Sequence, residues 1–246
     1  MSFKSRIDWF RVSIFVIMTM IAPHYLKAKK KSVLTFLKKD RYLVKTPWWM
    51  KKLYPGCLWD IETKNKTLYL TFDDGPNPVI TPFILEKLKK HNAKATFFCI
   101  GENVKKYPAI FQRIIDEGHA VGNHTQHHIN GWKTSDENYL KDYDEAGNYI
   151  SSNLFRPPYG RIKKSQIKLL TSRNKLLKIV MWNILAGDWD ADLQPEKCLE
   201  RVLKATNNGD IIVFHDSEKA WERMSYSLPI LLEHYYSVGF QFNSIA

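Results

Sequence analysis

The sequence predicts an α/β fold with parallel strands and helices outside them, and three observations carry that prediction. From residue 67 onward, short apolar runs rich in β-branched and aromatic residues alternate with longer amphipathic segments. No glycine-rich phosphate loop follows the first run, so a Rossmann cofactor site is unsupported. Polar residues with chemical potential gather just after the runs, where parallel α/β folds place their functional groups. A (β/α) barrel and an open doubly wound sheet both satisfy this pattern, and 246 residues can bury the single core of either.

Taken in order, residues 1–40 form a basic N-terminal arm. Val12 to Ala22 is a short apolar run preceded by Lys4, Arg6 and Arg11, and Lys27 and Lys29 to Lys31 come after it. The basic start resembles a secretory signal, but the cleavage site is poor and the run is short for a membrane span. The trailing lysines oppose export of the downstream domain. The arm reads as a signal, an anchor, an interfacial helix or a stretch outside the functional protein, and it favours the cell envelope or a membrane over the cytoplasm. Of the net charge of +12, residues 1–66 hold +11. The near-neutral remainder argues against a nucleic-acid groove in the main fold. Residues 41–66 read as a lead-in whose Trp48, Trp49, Tyr54 and Trp59 can pack on the domain.

The domain at 67–246 holds seven predicted strands, at 67–72, 95–100, 119–123, 153–156, 178–183, 210–215 and 239–245. Six predicted helices lie at 81–91, 102–117, 135–151, 162–174, 195–206 and 219–237. Thr81 before Pro82 and the capping box Thr134-x-x-Glu137 mark two helix starts. Cys57, Cys99 and Cys198 show neither metal-binding spacing nor a disulfide framework, and Cys99 reads as a small buried hydrophobe.

The strand ends carry the chemistry. The first strand runs into Thr71-Phe72-Asp73-Asp74-Gly75-Pro76. Adjacent carboxylates there are either a loop-closing turn or a site in which one holds a cation and the other moves a proton. The third ends in Asn123-His124, with His128 four residues on; His127 points elsewhere. Two imidazoles with one of the tandem aspartates make a metal set with open positions for water and substrate. The fourth runs into Arg156-Pro157-Pro158-Tyr159-Gly160, the fifth carries Trp182 and leads to Asp188-Trp189, and the sixth ends in His215-Asp216.

These four elements, TFDDGP, His-Thr-x-x-His, Arg-Pro-Pro-Tyr-Gly and Val-x-His-Asp, fall in the order of the polysaccharide deacetylase family, a carbohydrate esterase group, and residues 67–246 resemble it. The resemblance implies a deformed (β/α) barrel of about seven parallel strands. It implies one divalent metal ion, usually Zn2+ with Co2+ or Ni2+ as alternatives, on Asp74, His124 and His128. Asp73 is then the general base, paired with and oriented by Arg156, and the backbone N–H of Tyr159, beside Pro158, meets the oxyanion. His215 is the general acid. Trp182, Trp189 and Val213 would wall a small pocket for the acetyl methyl, and Pro158 and Asp188 would line the substrate site beside them. The family often carries Asp-x-x-Asp-Trp after strand five, whose first Asp orients the catalytic His. Here that position is Leu185, while Asp188 and Trp189 are present. The implied activity is removal of acetyl groups from N-acetylated sugars of an acetylated glycan by a monomer. An O-acetyl esterase and a non-catalytic glycan-binding protein are the other readings, the latter motivated by Leu185 alone.

Overall fold

The structure is a computed structural model and describes residues 42–246. The expectations for the arm at 1–40 lie outside those residues. Leu43–Ala246 forms one compact unit, so the lead-in is built into the same body as the strands after it.

Nine strands are present among the described residues: β1 (Cys57–Leu58), β2 (Thr67–Asp73), β3 (Ala95–Cys99), β4 (Ala120–Asn123), β5 (Leu154–Phe155), β6 (Lys178–Val180), β7 (Ile184–Leu185), β8 (Ile211–His215) and β9 (Gln241–Phe242). The sheet runs β1-β6-β5-β4-β3-β2-β8-β7, with β9 added to the start of β2. Every strand pair is parallel. This is the expected deformed barrel, with two strands more than the sequence predicts.

One predicted strand ends early. The run 178–183 forms only β6, and β7 begins just past its end; the two strands lie near opposite ends of the sheet path. The intervening residues stitch across the gap: Met181 N donates to Leu58 O, and Asn183 N to Ile211 O. An apolar run cannot reveal such a switch, because its pattern does not say which neighbour a strand takes.

Among the described residues eight α-helices surround the strands: α1 (Trp48–Leu53), α2 (Ile80–Lys90), α3 (Gly101–Lys106), α4 (Pro108–Asp116), α5 (Asp136–Gly147), α6 (Lys164–Arg173), α7 (Pro195–Ala205) and α8 (Trp221–Ser237). The predicted helix 102–117 is broken ahead of Pro108, which sits in the first turn of α4 where its missing N–H costs nothing. Two predicted starts shift. The cap of α5 is Ser135, whose side chain accepts from Asn138 N, rather than Thr134, whose hydroxyl donates to Asn130 O. Thr81 lies inside α2, and the Asn77 side chain accepts the N–H groups of Val79 and Ile80 instead.

Alternation along the strands sends side chains two ways. Leu68, Leu70, Phe72, Ile212 and Phe214 join the main core under α2, α7 and α8. Tyr69, Phe98, Leu154, Val180 and Ile211 fill the barrel interior. All three cysteines are buried and free. In the lead-in, Trp59 is buried and Tyr54 packs on the domain as expected. Trp48 and Trp49 do not: both are exposed.

Candidate active site

At the C-terminal mouth of the barrel, Asp74, His124 and His128 present ligand atoms that all lie within 4.8 Å of one another. Asp74 Oδ1 is 3.2 Å from His128 Nε2 and 3.8 Å from His124 Nε2. That same Oδ1 is buried with no hydrogen-bond partner. A buried carboxylate oxygen facing two imidazole nitrogens is costly unless something cationic sits between them. The ring orientations agree. His124 Nδ1 donates to the Arg156 carbonyl at 2.7 Å, which leaves Nε2 as the free lone pair. His128 Nδ1 is 3.1 Å from the Tyr159 hydroxyl. Burial, then the neighbouring His128, hold the pKa of His124 well below 6.5, and burial lowers that of His128 despite Asp74. Neutral imidazoles are the form that binds metal. The three residues therefore fit a divalent cation.

A second group flanks the trio. Asp73 and His215 are register partners on the adjacent strands β2 and β8. Arg156 is fully buried, and four hydrogen bonds fix it: it donates to Asp73 Oδ1 and Thr71 Oγ1 at 2.7 Å each, to Met181 O at 2.9 Å and to Val180 O at 3.2 Å. Its guanidinium lies 4.1 Å over the Phe98 ring. Burial pulls the Arg156 pKa down, and the paired Asp73 opposes that. On the other side, Asp188 accepts both the backbone N–H of His215 at 2.7 Å and its Nδ1 at 2.9 Å. Burial works against a charged His215, but Asp188 outweighs it by charge and hydrogen bond, with Asp74 and Asp73 adding, and the pKa rises to about 10. Trp189 lies edge-on against the ring at 4.9 Å.

Asp188 thus corrects two expectations. It does not line a pocket for substrate, because it is wholly buried beneath His215. The carboxylate that orients His215 is Asp188 itself, so Leu185 deprives the histidine of nothing. Leu185 sits on β7, opposite Val213.

The loop carrying the two metal-facing histidines is held by a residue that sequence reasoning missed. Asp142, on α5, accepts the backbone N–H groups of Gln126 and His127 at 3.0 and 3.1 Å, and its other oxygen lies 2.6 Å from His127 Nδ1. Its signal was an acidic residue on the buried face formed by Tyr139, Asp142 and Ala146. Asn123 Oδ1 accepts from Thr125 N. These placements strain the backbone. Of the five non-glycine residues with positive φ among the described residues, Asp74 (84°), Thr125 (64°), His128 (54°) and Tyr159 (61°) are here, and only Asn92 is elsewhere. Gly75 is required by contact: a Cβ there would meet Asp216 Oδ2 at 2.0 Å.

The comparisons with known proteins bear on what this mouth is. A sequence model of the family described as polysaccharide deacetylase matches residues 60–174. A peptidoglycan-N-acetylglucosamine deacetylase of Bacillus cereus is 30% identical over 193 residues, which are 76% of this chain and 90% of that protein. The chain belongs to the polysaccharide deacetylase family. A second Bacillus cereus protein of the same name is 40% identical over 154 residues, 60% of this chain and 55% of its own length, so the chain spans about half of that relative. Among solved structures, a peptidoglycan N-acetylglucosamine deacetylase bound to a naphthyl N-hydroxybenzamide matches with a TM-score of 0.74 at 31% identity, over 81% of this chain and 95% of that one. A Bacillus anthracis protein described as a pseudoenzyme of carbohydrate esterase family 4 matches at 0.66 and 25% identity, over 80% of this chain and 69% of that one. Membership in the polysaccharide deacetylase family therefore does not by itself supply activity; the side chains at the mouth must.

Around that mouth, the remaining predicted residues divide. Tyr159 is exposed, and its ring stacks at a tilt 4.5 Å from His128. Pro158 is buried beneath it. Trp182 is half-buried against the inner core and 6.0 Å from the Arg156 guanidinium. It also presses on Gly160, where a Cβ would meet its ring at 2.5 Å. Val213 is buried mid-strand, opposite Thr71 and two residues below His215. Asp216 accepts from the Thr81 hydroxyl at 2.6 Å, and burial raises its pKa to about 7.

Proposed function

We propose that this chain is a metal-dependent hydrolase that removes acetyl groups from N-acetylated sugars of a glycan, peptidoglycan or a chitin-like oligomer. The observation that carries the proposal is the meeting of three arrangements at one mouth. A neutral-imidazole and carboxylate trio sits beside an Arg-held carboxylate, and a carboxylate-held imidazolium stands next to both. The names of the relatives support the substrate class.

Asp74, His124 and His128 would hold the ion; two imidazoles and one carboxylate suit Zn2+, with Co2+ or Ni2+ as alternatives. When bound, it supplies Lewis acidity toward the acetyl carbonyl and the attacking water. Asp73 accepts the proton of that water, with Arg156 fixing its carboxylate in place. The backbone N–H of Tyr159, in its left-handed turn, meets the developing oxyanion. His215 hands its proton to the departing amine while Asp188 steadies the charged ring. An amine leaves poorly without that proton, so a well-supported His215 favours amide over ester substrates. Trp182 and Val213 would wall the space for the acetyl methyl.

Acetate release from N-acetylglucosamine oligomers tests this directly. Asp73→Asn should lower the rate by roughly 10²–10⁴, and a chelator should abolish release that added Zn2+ restores. Release indifferent to both would sink the reading.

A further inference from the structure

The lead-in helix α1 is an odd element for a folded domain. None of its residues is buried. Met50 and the nearby Tyr54 pack against the cluster that contains Phe155 and Ile179. The other face turns Trp48 (69% exposed), Trp49 (48%) and Leu53 (50%) outward, with Leu43 (57%) just upstream. Two adjacent tryptophans left in solvent are costly, and contiguous exposed apolar groups mark a docking surface. Charge is interleaved with them. Lys52 Nζ lies 4.9 Å over the Trp48 ring, and Lys51 pairs with Asp60.

We infer that this face of α1 docks on an anionic lipid surface. Tryptophan is the side chain that settles at a bilayer's polar boundary, and lysine stems reach from there to phosphate headgroups. The sequence just upstream has the same character: an apolar run at Val12–Ala22 bracketed by basic residues, within the 66 residues that hold +11 of the chain's net charge of +12. A protein partner would need a matching acidic groove, whereas an anionic bilayer complements both the tryptophans and the excess lysines. No helix among the described residues is long and apolar enough to cross a membrane, so α1 lies on the surface rather than spanning it. α1 leads into Pro55 and Gly56, which line an opening with Tyr69, Lys178 and Ile245 near the starts of the strands. The metal-facing trio is at the strands' other ends. A domain seated on α1 keeps its mouth clear for a polymer.

Sedimentation of the full 246-residue chain with vesicles tests the inference. The wild type should bind phosphatidylglycerol–phosphatidylcholine vesicles and bind pure phosphatidylcholine weakly. Trp48→Ser/Trp49→Ser/Leu53→Ser should weaken that partition by about tenfold or more, a difference that belongs to α1 because the upstream run is kept in both proteins. A gentler pair, Trp48→Phe/Trp49→Phe, keeps the apolar face and should bind as the wild type does. Brominated acyl chains should quench wild-type fluorescence more than that of the Phe pair. Absent binding, equal binding to neutral vesicles, an undiminished serine variant or equal quenching in the Phe pair would each overturn it. Acetate release from soluble oligomers is read separately and should be unchanged in the serine variant, so failure here leaves the hydrolase proposal standing or falling by its own test.

Discussion

His124 and His215 face the same pair of aspartates from different strands and are held in opposite charge states. His124 commits Nδ1 to a backbone carbonyl and is buried beside a second imidazole, so its pKa falls well below 6.5. His215 commits Nδ1 to a buried carboxylate, and its pKa rises to about 10 despite burial. One ring is prepared to give a lone pair, the other to give a proton. Burial lowers both; His128 pushes His124 further down, while the Asp188 carboxylate behind His215 overturns burial by charge and hydrogen bond. The exposed His127 repeats the His215 arrangement on Asp142, backbone N–H and Nδ1 on one carboxylate, and its pKa is raised too, first by that hydrogen bond.

Breaking the lone-pair side should have the largest effect. His124→Ala should remove stoichiometric zinc, measured by metal analysis after dialysis, and take acetate release to background. Asp188→Asn breaks the proton side. It should lower kcat on amide substrates by roughly 10²–10⁴ while leaving metal content intact. The same variant tests the sign of the charge. A histidine whose folded pKa is raised stabilises the fold fully below its unfolded value near 6.5, and that contribution is lost as pH rises through about 10. Metal-free wild type should therefore lose stability across that window, and Asp188→Asn should show a flatter profile by denaturant unfolding. Asp142→Asn acts one layer back from the lone-pair side. It should weaken zinc affinity by roughly 10–100-fold, with kcat recovered at saturating metal. The smallest effect sharpens the contrast: Leu185→Ala should change kcat by no more than about twofold, since His215 already has its carboxylate. A large loss would return the orienting role to position 185.

Much of this is legible in the sequence, for a physical reason. Strand ends in parallel α/β folds expose side chains at one mouth, so Asp73-Asp74, His124, His128, Arg156 and His215 can be placed together from order alone. Arg156 is conspicuous because a cation between an apolar strand and two prolines has to find a partner. Roles that depend on depth are not legible. Asp188 reads as a pocket residue because spacing cannot say whether a carboxylate lies beside a histidine or beneath it. Asp142 is distant in sequence from the loop it secures. Trp48 and Trp49 read as packing residues, since composition does not distinguish a buried aromatic from one left in solvent. The switch between β6 and β7 is hidden because hydrophobic periodicity reports burial and not which neighbour a strand chooses.

That switch also bears on how the machinery is fastened. Where the chain leaves β6 to reach β7, the sheet has no continuous ladder, and the carbonyls of Val180 and Met181 turn to a side chain. Arg156 takes both. A seamlessly closed cylinder would engage those oxygens in its wall and leave the guanidinium only Thr71 and Asp73 to hold it. The seam in the barrel is thus a socket, and regularising it by design should loosen the clamp on Asp73.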